Sequence, residues 1–272
     1  KPDYYELGKQ LDFACQDQYP AGHFLARHNG YQAEINAAEV DMIRGVKQKS
    51  FWVMEQQCGI TGWEILGRTP KPGQIALWAM QCVAHGADTI VFFRWRSCAM
   101  GTEQYWHGIL PHNGIPGRYH REISQFMKTY TPLLKEINGS VPKAEVAVLR
   151  SYDQEWAIST QPHHPSHDYV QHLMTYYGAL HRLNVPVDMV SQQADFTQYK
   201  VLIAPLQFLM TDELAAKLRA FVAQGGHLVL GWRSGVKDGT NLCHTDGAVP
   251  YKLDDVFGLQ VTEYDCLRDT DG

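Results

Sequence analysis

No apolar run in this chain comes near the ~18 residues that a membrane-spanning helix needs, so no membrane segment is expected. No charged start leads into an apolar stretch, so no leader pattern is visible. Residue 1 is Lys rather than Met and already reads as mid-domain sequence. Basic runs are missing and the formal net charge is -5, which argues against a nucleic-acid surface. The six cysteines, Cys15, Cys58, Cys82, Cys98, Cys243 and Cys266, include no C-x-x-C pair, so a zinc site of closely spaced thiolates is not expected. A disulfide scaffold is not expected at 272 residues, and reduced thiols in a cytoplasmic protein are the simplest reading. Neither a G-x-G-x-x-G sequence nor a P-loop lysine motif occurs, so no nucleotide fingerprint is present. What is there is a globular composition, 44% hydrophobic and 19% charged. Its 7 Trp and 14 Tyr could stack on sugar faces or fill a core.

The first half alternates short apolar runs with amphipathic stretches. Leu11 to Cys15 runs into Gln16-Asp17-Gln18 before Tyr19-Pro20, Ser50 to Met54 into Glu55-Gln56-Gln57, and Thr89 to Phe93 into Arg94-Trp95-Arg96. Apolar runs of about five residues with polar ends suit strands buried on both faces of a parallel sheet. Helices are expected from Glu34 to Val46, from Pro72 to His85 and from Tyr119 to Ile137, with Pro132 kinking or breaking the last. In the second of these, Ile75, Trp78, Ala79, Cys82 and Val83 form one apolar stripe. Pro72 suits its first turn and Gly86 its exit. Such strand-helix repeats suit a (β/α) barrel or an open doubly wound sheet.

Asn138-Gly139-Ser140-Val141-Pro142 is the best linker in the chain and divides domains at 1–138 and 142–272. Beyond it, strands are expected at Ala144 to Leu149, Val185 to Val190, Lys200 to Ala204 and His227 to Gly231. Helices are expected at His167 to Leu183 and Thr211 to Gln224, the latter with Thr211 as its cap. This pattern suits an open α/β sheet of the flavodoxin type. Cys243 lies in a polar loop rather than a tight strand-helix turn, so the second domain is read as non-catalytic.

Barrel active sites sit where strands end and loops begin. Three segments then point at one site: Gln16 to Tyr19, Glu55 to Gln57 and Arg94 to Arg96. A carboxylate after an apolar strand needs donors and charges to satisfy it. Arg94 and Arg96 could approach Glu55 and keep it ionised, as a nucleophile requires, or Glu55 could sit in a structural salt bridge. Trp63 could stack on a sugar or plug a loop. Glu103 and His107, four apart in one loop, could clamp vicinal hydroxyls or shape that loop by a local hydrogen bond. His163, His164, His167 and Asp168 could hold a metal, but no cysteine or further close carboxylate completes the set and a solvated loop is preferred.

Phe51 to Gln57 followed by Trp63 resembles the family-42 β-galactosidases. The resemblance continues through Lys71-Pro72-Gly73, Ala84 to Asp88, Phe92 to Arg96 and Gly101 to Gly108. Leu11-Asp12-Phe13 and Asp17 to Pro20 look like the family's sixth barrel strand. Ala194 to Phe196, Tyr199 to Pro205 and Gly225 to Leu230 resemble its second domain.

The resemblance implies the C-terminal part of a (β/α)8 barrel followed by a flavodoxin-like α/β domain that helps build homotrimers. It implies a retaining β-galactosidase acting on a β-galactoside, with Glu55 as nucleophile and Trp63, Glu103 and His107 lining the galactose subsite. Relatives are expected to space the last two by three residues rather than the four found here. The family's acid/base, a Glu in an Asn-Glu pair after the fourth strand, has no counterpart in these 272 residues. Nor do the first five barrel strands or the cysteine zinc site, so a fragment is expected, with no metal and no cofactor assigned. Two other readings stand: a non-catalytic assembly module, and a related glycosidase of another sugar preference.

Overall fold

The computed structural model describes residues 2–21, 33–63 and 66–266. The outermost positions of the two expected domains, residue 1 and residues 267–272, lie outside the described residues. The chain divides into two compact units, Tyr4–Pro142 and Lys143–Gly272, the latter grouped with Lys1–Asp3.

The first unit runs α1 (Tyr4–Gly8), β1 (Cys15–Gln18), α2 (Ala33–Lys47), β2 (Phe51–Gln57), α3 (Gln74–Ala84), β3 (Ala87–Phe93) and α4 (Arg118–Ile137). Its strands form a parallel sheet in the order β1-β2-β3. Parallel neighbours need a crossover, and α2 and α3 supply it. One face of the sheet buries Phe51, Val53 and Ala87 against Val40, Ile43 and Cys82 of these helices. Met54 and Val91 on the strands, with Phe13 just before β1, remain exposed. The layout is a segment of a (β/α) barrel wall.

Several local expectations shift. The first strand begins at Cys15, not Leu11, and Leu11 and Phe13 are exposed. The second strand continues to Gln57, so Glu55 lies inside it, opposite Asp17 of β1. Pro72 precedes α3 rather than occupying its first turn. The free amides there are met instead by a carboxylate from α4: Glu122 Oε1 accepts from Gly73 N at 3.0 Å and Ile75 N at 3.2 Å. The α4 helix runs unbroken through Pro132, because a single missing N–H need not end a helix of 20 residues.

The second unit runs β4 (Val146–Leu149), α5 (Tyr152–Thr160), α6 (Tyr169–Arg182), β5 (Val187–Val190), β6 (Val201–Ala204), α7 (Asp212–Ala223), β7 (His227–Leu230) and α8 (Asp254–Phe257). All four strands are parallel, in the order β5-β4-β6-β7. In chain order this is 2-1-3-4, the start of a flavodoxin-like sheet. Thr211 caps α7 by accepting from Leu214 N, and Asp168 caps α6 by accepting from Gln171 N at 2.8 Å. The helix α5 has no apolar stripe, which is why periodicity misses it. It is held by contacts distant in sequence: Gln154 Nε2 donates to Leu209 O at 2.8 Å and Gln154 Oε1 accepts from Leu209 N at 2.7 Å.

Leu218, fully buried in the cluster of Leu202, Met210 and Phe221, measures this core. Replacing it with Ala should destabilise the unit by about 2–5 kcal/mol, through lost burial and the cavity left behind. Urea unfolding of wild type and variant checks this; a loss under about 1 kcal/mol would refute the packing described.

Candidate functional site

Parallel pairing brings the C-terminal ends of β1, β2 and β3 to one side of the first unit. Glu55 is half-buried there. Its carboxylate is satisfied by a phenol rather than a guanidinium: Tyr19 OH donates to Glu55 Oε2 at 2.5 Å. Burial, then this hydrogen bond, pushes the Tyr19 pKa far above its ordinary value, so the hydroxyl keeps its proton as a donor. The expectation that Arg94 and Arg96 hold Glu55 is corrected. Arg94 Nη2 pairs with Glu103 Oε2, its guanidinium lies 4.3 Å from the Phe93 ring centroid, and Arg96 is exposed. The strand-end position read Glu55 and the arginines as neighbours, but the loop after β3 supplies a nearer carboxylate.

Glutamines flank Glu55. Gln57 Oε1 accepts from Ala21 N at 2.9 Å, and Gln57 Nε2 donates to Gly59 O at 2.9 Å, tying the β1 exit to the β2 exit. Gln18 and Gln56 are buried. Gln18 Nε2 donates to Glu39 Oε2 at 3.1 Å.

Glu103 and His107 lie in a turn-rich loop rather than on a helix. They do not hydrogen-bond one another: Glu103 pairs with Arg94, while the His107 ring lies 5.3 Å from that of His112. Burial, then His112, pushes the His107 pKa below its ordinary value, so its ring is neutral at physiological pH. The loop is pinned to β2's exit by His107 N, which donates to Ile60 O at 2.8 Å. A Cβ on Gly59 would stand 2.4 Å from His107 O, and one on Gly108 would stand 2.5 Å from Arg94 O. Side-chain-free residues are required at both crossings. Cys58 is fully buried beneath them, its thiol pKa pushed up to about 12 by burial, and its Sγ donates to Phe93 O at 3.1 Å.

Trp63 is 44% exposed, with its ring 5.4 Å from the buried ring of Trp106. Trp106 in turn meets Tyr19 edge-on at 4.6 Å. Thus Glu55, Trp63, Glu103 and His107 all border the same strand ends. Sequence reasoning missed Tyr19 as the donor to Glu55 and Trp106 as the packing centre. Tyr19 follows β1 directly, which was the available signal; nothing local marks Trp106.

Three histidines of the second unit, His163, His167 and His172, gather around the Trp232 ring with centroids 6.3, 4.9 and 6.0 Å from it. His164 Nδ1 meets Ser166 Oγ at 2.7 Å. Among the described residues no group of three or more His, Cys, Asp or Glu could hold a metal ion. Also among the described residues, no helix is long and apolar enough to cross a membrane.

Known proteins resemble the chain from end to end. A β-galactosidase family model matches residues 1–133 and a β-galactosidase trimerisation-domain model matches residues 144–272. The chain is 39% identical over 98% of its length to β-galactosidase BgaH of Haloferax lucentense, covering 41% of that protein. It is 37% identical over 97% of its length to β-galactosidase BgaA of Clostridium cellulovorans, covering 40% of it. The chain therefore spans about two fifths of the length of these curated relatives. Among solved structures, a β-galactosidase from the Antarctic haloarchaeon Halorubrum lacusprofundi matches with a TM-score of 0.85 at 34% identity, over 93% of this chain and 39% of that one. A β-galactosidase from Bacillus circulans sp. alkalophilus matches with a TM-score of 0.87 at 30% identity, over 98% and 39% of the two chains.

Asp17 offers a pH test of the site's electrostatics. Burial, then the charge of Glu55, pushes its pKa above the ordinary carboxyl value. A raised folded value means that its ionisation opposes folding: its contribution is intact below the ordinary value and lost as pH rises through the folded one. Asp17→Asn should therefore stabilise the protein at about pH 7, with a gain that fades towards about pH 3, by denaturant titration at both. An equal gain at both pH values would contradict this electrostatic origin.

Proposed function

We propose, for a chain that belongs to the family-42 β-galactosidases, that the full-length protein is a retaining β-galactosidase with Glu55 as its nucleophile. The observation that carries the assignment is the Tyr19–Glu55 pair at the shared strand ends, beside an exposed Trp63 ring. Residues 1–138 would form part of the barrel and residues 142–272 an assembly domain. The trimerisation-domain match supports an oligomer, and a homotrimer is the form we propose. A cytoplasmic protein without a nucleic-acid partner fits the acidic charge balance and the six free cysteines.

In this mechanism Glu55 attacks the anomeric carbon and forms a galactosyl ester. A second carboxyl group, from a part of the protein outside these residues and protonated at the start, stands about 5–5.5 Å away. It first protonates the leaving oxygen and then deprotonates the water that cleaves the ester. Tyr19 donates to one oxygen of Glu55 and so leaves the other for attack. The neutral phenol orients the carboxylate without a full charge that would blunt its nucleophilicity. The apolar face of galactose stacks on Trp63. Glu103, held by Arg94, and neutral His107 take its hydroxyls as hydrogen-bond partners.

In the full-length protein, Glu55→Gln should lower hydrolysis of an aryl β-galactoside by on the order of 10⁶-fold, the scale seen when a covalent nucleophile is removed, with the fold intact. A fluorinated galactoside inactivator should label a peptide containing Glu55. Near-wild-type turnover of the variant, or label elsewhere, sinks the assignment. A panel of aryl glycosides tests the sugar: faster turnover of a gluco- or manno-configured substrate would replace galactose.

A further inference from the structure

We propose that Trp106 is the positioning residue of this site, a single buried indole that fixes the hydrogen-bond donor of Glu55 and the exposed ring of Trp63 in one arrangement. The proposal rests on the reading of Glu55 as nucleophile. Trp106 is 6% exposed. Tyr19 meets it at 4.6 Å and 84°, and Phe93 meets it at 6.1 Å and 87°. Tyr19 also meets Phe93, at 6.4 Å and 79°. Three rings, from the ends of β1 and β3 and from the loop after β3, thus pack edge to face around one another, the arrangement that aromatic quadrupoles favour. The Tyr19 phenol stands between two such rings, and its direction decides whether its hydroxyl reaches Glu55.

Trp63 packs on the same indole at 5.4 Å and 45°. The chain position of Trp106 adds a further link, because it falls between Glu103 and His107 and its backbone N donates to Glu103 O at 3.0 Å. The indole therefore anchors the loop that carries both polar residues. Trp106 acts through these neighbours and need not touch the sugar itself.

The test is a double-mutant cycle in the full-length protein, with Trp106→Met, Trp106→Phe, Tyr19→Phe and the Trp106→Met/Tyr19→Phe pair. Displacing a positioned group by about an ångström costs up to about a hundredfold, so Trp106→Met should lower kcat roughly tenfold to a hundredfold. Trp106→Phe, which keeps an aromatic edge, should recover most of that. Because contacting residues are not additive, while Trp106 also acts through Trp63, the double variant should lose clearly less than the product of the two single losses. Losses that multiply would overturn the proposal and mark Trp106 as packing alone. Should Trp106→Met fail to fold, the same cycle with Trp106→Phe must again show a smaller loss in the Tyr19→Phe background than in the wild type. A crystal structure of the altered protein reads the idea without catalysis: the Tyr19 hydroxyl should lie beyond about 3.5 Å from Glu55 in Trp106→Met, and an unchanged hydrogen bond overturns the proposal. A wild-type protein that turned over no glycoside would instead refute the nucleophile assignment, with the crystallographic result standing by itself.

Discussion

Parallel strand pairing is the constraint on which the first unit depends. Strands that run the same way must end on the same side of the sheet, and every crossover must return to the opposite side before the next begins. Tyr19, Glu55 and Arg94 come from segments separated by tens of residues, yet each lies at or near the C-terminal end of a strand of one ladder. Buried polar groups at such ends need partners drawn from neighbouring strands, since none is available in their own. The phenol of Tyr19 meets that need for Glu55, and Gln57, two residues further on, laces the exits together.

Charge is distributed in a way that suits this arrangement. The cation that could have neutralised Glu55 is turned towards Glu103 and the Phe93 ring. Its ion pair is partly solvent-exposed, so it orients two side chains more than it stabilises the fold. Glu55 keeps a neutral donor, and His107 is kept neutral by burial and by His112. The site thus separates orientation from charge compensation.

Features set by local rules were legible in the sequence. The apolar stripe of α3, the Thr211 cap of α7 and the buried runs at Phe51 to Val53 and Leu202 to Ala204 all follow from periodicity and capping chemistry. Features set by distant partners were not. The start of α3 is decided by Glu122 on α4, and α5 by Leu209, neither of which leaves a local trace. The same holds for the candidate site. Glu55 could be singled out by its place after an apolar run and by a family resemblance. Its partner depended on a rotamer of Tyr19, and the arginines beside it were assigned by strand adjacency alone. Adjacency says which strand ends are near, not which side chains meet.

The crossings at Gly59 and Gly108 carry a consequence for how such a protein can diversify. With His107 O and Arg94 O where the first side-chain carbon would be, the two loops form one interlocked joint. Variation is thereby channelled towards the exposed tip of the second loop, where Met100 and Tyr105 face solvent. Residues 58–60 and 107–108 behave as a hinge pin, so their geometry must be inherited as a block. An alteration to one side of the joint is transmitted at once to the other.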